Sequence, residues 1–216
     1  MNKEKDLKPI WVYLVAFFGV QFLAGIVIGA MYPNNTIDKI NELTGVITFT
    51  AYFSTFLILF ILYHKQFKEK LAKITKKDII IIVVVAAITI ALNELLSTLF
   101  TNFDVDMKNQ EAVVAAFERN KTIMFAAVVI FAPIVEELVF RYSFSTFIKN
   151  QYAFVIISSL IFGLMHSTGI AIIVYFVLGL CLSLIYLKTN KNIISSIIVH
   201  ILNNLFAILT LSTMLR

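Results

Sequence analysis

Residues 122–148 read TIMFAAVVIFAPIVEELVFRYSFSTFI. A bilayer core of about 30 Å is crossed by roughly 20 apolar residues in a helix, and this run is longer than that. It is apolar except around Glu136, Glu137 and Arg141. An ionised side chain at the centre of a membrane helix costs roughly 2.5–3.5 kcal/mol on insertion scales. Three in one short segment therefore mark a membrane span that turns a polar face towards the protein interior.

Similar apolar runs lie on both sides of it. With 122–148 they give spans near 10–31, 43–63, 79–100, 152–167, 169–187 and 193–212. The whole chain is 60% hydrophobic and 14% charged, against about 45–50% and about 25% in soluble domains. Alternating ten-residue patterns, the mark of a transmembrane barrel, are absent. The expected fold is all-α: a polytopic transmembrane bundle of about seven spans around an intramembrane polar active-site cavity. Residues 1–121 supply N-terminal helices and loops and 122–212 the catalytic helices of one bundle. The first apolar run, about 20 residues, exceeds the roughly 7–15 of a signal-peptide core and reads as a retained span.

The net charge of +5 does not indicate nucleic acid, because the lysines sit in short connections and act as topology signals. With the N-terminus inside, the inner segments hold Lys3, Lys5, Lys8, Lys65, Lys68, Lys70, Lys73, Lys76, Lys77, Lys149, Lys188 and Lys191. The outer segments hold only Lys39, Lys108, Arg119, Lys121 and Arg216. The N-terminus is expected to be cytoplasmic. The basic connection 64–78 begins with His64, expected to be solvated. Glu94 is expected at an interface or helix end, and NQEAVVAAFERN (109–120) as a short amphipathic surface helix. The single cysteine, Cys181, allows no disulfide within the chain.

Glu137 and Arg141 are four apart, so they share a helix face and can pair. Glu136 is rotated by about 100° and must look elsewhere in the bundle for partners. Pro133 can kink the helix or free a carbonyl. His166 ends the run SSLIFGLMH, with Phe162 one turn before it. His200 and Asn204 share a face of the last span, and Asn203 lies on another. At about 1.5 Å per residue, the depths of Glu136, His166 and His200 agree within several ångströms and fit one mid-membrane cavity. A glutamate can take a proton from water with a histidine orienting it. A second histidine and an amide can donate to an oxyanion. The alternative use of Glu136, His166 and His200 is as ligands of a divalent metal such as zinc that activates the water. No HExxH motif is present, and both versions stay open on the residues alone.

The ordered motifs EELVFR (136–141), FGLMH (162–166) and HILNN (200–204) resemble the CPBP intramembrane protease family, also called the Abi or CAAX protease family. That family includes CAAX prenyl endoproteases and bacterial proteins linked to bacteriocin processing and self-immunity. The resemblance implies an intramembrane (metallo)endopeptidase with catalytic Glu136, His166, His200 and Asn204, supported by Glu137, Arg141 and Phe162. Glu136 would activate water with His166, and His200 and Asn204 would stabilise the oxyanion. The family has been named as metalloproteases, while a metal-free glutamate mechanism is also implied for its members. The expected partners are the lipid bilayer and a membrane-bound peptide or protein substrate. The lysine-, isoleucine- and asparagine-rich composition suggests a bacterial plasma membrane, where a peptide precursor is a better expectation than a prenylated protein. The alternative is a non-catalytic membrane adaptor or bacteriocin self-immunity protein.

Overall fold

In lipid each backbone N–H and C=O must find its partner within the protein, so every apolar run closes its hydrogen bonds as a helix. The structure is a computed structural model and describes residues 5–102 and 115–214. Its helices are α1 (Lys8–Met31), α2 (Thr36–Ala72), α3 (Lys76–Asn102), α4 (Lys121–Phe147), α5 (Gln151–His166), α6 (Ile172–Lys188) and α7 (Ile193–Met214). Among the described residues there is no strand. The expected all-α polytopic bundle is thus present, and the chain is an integral membrane protein. Among the described residues, six helices are long and apolar enough to cross a membrane; α5, with 16 residues, is apolar but shorter.

The largest departure from the expected spans is α2. It runs for 37 residues instead of over 43–63, and absorbs most of the basic connection. HKQFKEKLA (64–72) contains neither Gly nor Pro and is mostly good helix formers, so the helix continues past the apolar edge. It ends where α3 takes over. The Asp78 backbone N–H donates to Thr75 Oγ1 (3.2 Å), and the Thr75 N–H donates to Asp78 Oδ2 (3.0 Å), a reciprocal N-terminal cap. His64 lies exposed on this extension. Residues 115–119 of the expected surface helix are helical, but Ala116 and Phe117 pack inward with Met124, Val129 and Ile208. The remainder of that helix, 109–114, lies outside the described residues.

Two seams hold one end of the bundle. Lys70 Nζ donates to the Lys191 carbonyl (3.1 Å), and Asn192 Nδ2 donates to the Lys70 carbonyl (2.9 Å). These tie the end of α2 to the α6–α7 turn. Asp6 is held by four contacts from α2 and α4. Tyr63 and Tyr142 hydroxyls donate to its carboxylate (2.8 and 3.1 Å), Ser143 Oγ donates to its carbonyl (2.6 Å), and its N–H donates to Thr146 Oγ1 (3.0 Å).

Helices α5 and α6 approach through small residues, the usual way to close a helix pair in lipid. A Cβ on Gly179 would lie 2.9 Å from Ser159 Cα. Beside it, Ser159 and Ser183 hydroxyls meet at 3.4 Å. This close approach brings the Gly179 carbonyl within reach of α4.

Candidate active site

The site is built on an irregular helix. In α4, residues Ala126–Phe131 and Leu138–Ser143 are π-helical, and the α-helical turn between them, Ala132–Glu137, carries both glutamates. Pro133 explains the first irregularity. In the π register the Ala132 N–H reaches the Ala127 carbonyl. The next donor would be residue 133, which as proline has no N–H. The Val128 carbonyl is thereby left for another donor, and Asn204 Nδ2 from α7 supplies it at 2.9 Å.

Glu136 finds its partners on three other helices. The Tyr52 hydroxyl of α2 donates to Oε1 at 2.6 Å. His166 Nε2 of α5 and His200 Nε2 of α7 lie 3.5 and 3.7 Å from Oε2. The other nitrogen of each ring is occupied. His166 Nδ1 bonds the Phe162 carbonyl at 2.7 Å, and His200 Nδ1 bonds Glu137 Oε1 at 3.0 Å. Carbonyl and carboxylate oxygens only accept, so both Nδ1 atoms carry hydrogen and both Nε2 atoms turn to one oxygen of Glu136. Glu136 and His200 are each 2% exposed. The His166 side chain, at 20%, is the open side of the cluster.

Glu137 is the structural partner. Arg141 Nη1 lies 3.4 Å from Glu137 Oε1, and both residues are fully buried. Arg141 Nη2 donates to the Gly179 carbonyl at 3.2 Å, and its guanidinium lies 4.6 Å over the Phe162 ring. That ring also meets the rings of His166 (4.2 Å) and His200 (5.8 Å). Phe162 is therefore the apolar hub on which the cation and both imidazoles rest.

The structure thus brings together Glu136, His166 and His200, with Glu137, Arg141 and Phe162 packed behind them. Asn204 lies one turn beyond His200 with its amide on Val128. Asn203, on another face, accepts from Asn93 Nδ2 at 2.9 Å and donates to Asn204 Oδ1 at 3.3 Å. Glu94, next to Asn93, is half-buried. Tyr52 is the site residue that sequence reasoning missed. Its only signal was a phenol, a polar tip within an apolar run, and FTAYFSTFLILF (49–60) offers several aromatics of which only one meets Glu136. Among the described residues, no group of three or more His, Cys, Asp or Glu side chains is arranged to hold a metal ion.

The structure thus places a buried polar cluster inside a polytopic bundle of apolar helices. Residues 118–206 match the family model described as Rce1-like, type II CAAX prenyl endopeptidase Rce1-like. That segment, less than half of the chain, is thus similar to the CAAX protease family, and it contains every motif residue named above. The match supports a CAAX-protease-type enzyme. No curated protein and no solved structure matched the chain.

Proposed function

We propose that this chain is an intramembrane endopeptidase that hydrolyses a peptide bond in a membrane-associated protein or peptide precursor. The observation that carries the reading is the convergence of two imidazole Nε2 atoms, from α5 and α7, on one carboxylate oxygen of Glu136. Such a convergence has no packing purpose in an adaptor, and burying a carboxylate is costly unless it is hydrogen-bonded or paired.

In the proposed reaction, Glu136 Oε2 takes a proton from a water oriented by His166, whose Nδ1 is already held by the Phe162 carbonyl. The water oxygen attacks the scissile carbonyl, and the oxyanion is met by His200 and by the second amide hydrogen of Asn204. His200 donates from Nε2 only when its ring carries both protons, because Nδ1–H is used on Glu137. Glu136 then returns its proton to the leaving amine. Burial strengthens each of these interactions relative to water. In this scheme the protons pass only between water, side chains and the leaving amine. Cleavage by purified protein should therefore persist after exhaustive chelation, and a loss restored by zinc would overturn that part of the proposal.

The proposed setting is the bacterial plasma membrane with the N-terminus cytoplasmic. The gathering of Asp6, Lys70 and Lys191 at the seamed end supports placing that lysine-rich end inside. The test of function is peptide profiling of membranes containing wild-type or Glu136→Ala protein. New peptide termini should appear with the wild type and vanish with Glu136→Ala, His166→Ala and His200→Ala. Loss of general acid–base catalysis is worth about 10²–10⁴ in rate. Termini that persist in Glu136→Ala would sink the reading, and full complementation by that variant would favour a non-catalytic adaptor or immunity role.

A further inference from the structure

The catalytic motifs all lie within 118–206, yet the closest contact to Glu136 comes from outside that segment. The Tyr52 hydroxyl is 2.6 Å from Oε1, nearer than either imidazole is to Oε2. We propose that Tyr52 is a positioning residue for the general base: by holding Oε1 it fixes the carboxylate plane, so that Oε2 alone faces the water site between His166 and His200. The proposal rests on the endopeptidase reading above.

Three observations support it. First, an ionised carboxylate only accepts, so the phenol is the donor, and it meets Oε1 while the two imidazoles meet Oε2. Second, the phenol is itself supported. The Tyr52 ring lies 4.5 Å from that of Phe17, which stacks on Tyr13 at 4.7 Å. Third, the support is itself enclosed: Tyr13, against which Phe17 stacks, is buried.

Tyr13 opens the π-helical segment Tyr13–Phe17 in the middle of α1. A π-bulge of this kind re-aims side chains and recurs at functional sites. Here it puts Tyr13, 6% exposed, on the inner face of a helix with a largely exposed outer side. Helices α1 and α2, which carry no catalytic motif, thereby supply an orienting arm for the base on α4.

The same arm explains how one carboxylate can serve two imidazoles. Without a ligand on Oε1, rotation about the terminal torsion would exchange the two oxygens, since such torsions are broad and roughly two-fold. The water site would then lose its fixed acceptor. A misplacement of about 1 Å in a reacting group costs on the order of 10²-fold.

The test uses full-length protein in detergent micelles and a synthetic peptide spanning a cleavage site shown by profiling to depend on Glu136. Tyr52→Phe keeps the ring against Phe17 and removes only the hydroxyl. We expect kcat to fall about 10–100-fold with KM within twofold, while Tyr152→Phe, an exposed phenol on α5, leaves both unchanged. A kcat within threefold of wild type overturns the proposal, and so does a raised KM with kcat retained, which would make the phenol a substrate contact. Should Tyr52→Phe fail to elute as folded protein, 3-fluorotyrosine placed at position 52 decides. A changed kcat at unchanged melting temperature supports the proposal, and an unchanged kcat overturns it. If instead no cleavage depends on Glu136, the endopeptidase reading falls, and this proposal falls with it.

Discussion

Helices α1 and α4 are both long, apolar and able to cross a membrane, yet they occupy opposite situations. In the most apolar 18-residue stretch of each, 61% of residues are buried inside the protein in α4 and 11% in α1. Phe22, Leu23, Ile26 and Val27 of α1 face outward, whereas Val135, Leu138, Val139 and Phe140 of α4 are enclosed. Lipid tails are as apolar as leucine, so hydrophobicity alone does not separate an inner helix from an outer one. What separates them is the polar content that lipid would not tolerate. Glu136, Glu137 and Arg141 force α4 to the centre, and the other helices close around it.

This contrast can be broken by substitution, and the largest effect is expected at the buried ion pair. Arg141→Met leaves the fully buried Glu137 without its cation. Removing one partner of a buried pair costs about 3–5 kcal/mol, which should appear as a large fall in the unfolding midpoint in micelles. The double variant Arg141→Met with Glu137→Gln should recover much of that loss. If the single variant is as stable as the wild type, the pair does not hold the centre.

A smaller effect is expected at the carbonyl freed by Pro133. Asn204→Ala leaves the Val128 carbonyl without its donor, at about 1–3 kcal/mol for an unsatisfied buried group. Pro133→Ala restores a backbone N–H at the position that carbonyl would use. The double variant should therefore be more stable than Asn204→Ala alone, although its catalysis is not restored. Strict additivity of the two changes in thermal melts would show that the amide and the proline are unconnected.

Smaller again is the effect of one methyl group, where the comparison between regions is most direct. Gly179→Ala places a Cβ 2.9 Å from the Ser159 backbone and must push α5 from α6, for about 1–3 kcal/mol. The same change at Gly19 or Gly25 of α1 meets nothing within 4 Å and should stay within about 0.5 kcal/mol of wild type, as surface changes do. Equal responses at the two places would remove the distinction between an inner helix pair and an outer helix.

The sequence was most legible where chemistry is expensive. Charges and imidazoles are rare in lipid, so Glu136, His166 and His200 stood out before any helix was placed, and the structure brings both imidazoles within 3.7 Å of the Glu136 carboxylate. The Glu137–Arg141 pairing followed from helical spacing. Less legible were features that hydropathy does not encode. It locates the membrane edge and not the helix end, which is why α2 outruns its apolar stretch into HKQFKEKLA. It also ranks a phenol near other aromatics, which hid Tyr52. For Ala116 and Phe117 amphipathicity was real, but the covering surface proved to be Met124, Val129 and Ile208 instead of lipid headgroups. Asn204 combined both cases: its face was read correctly, while its bond to Val128 required knowing the π register set by Pro133.

The anchoring of Asp6 has a consequence for biogenesis. Its partners Ser143 and Thr146 lie 137 and 140 residues further along the chain. At about 5–20 residues per second, roughly 7–30 s separate synthesis of the two halves of this seam. The first three helices must enter the membrane before Asp6 meets α4. The orienting arm that α1 and α2 provide therefore waits in lipid for the helix it will steady, and that end of the bundle is sealed only after α4 has arrived.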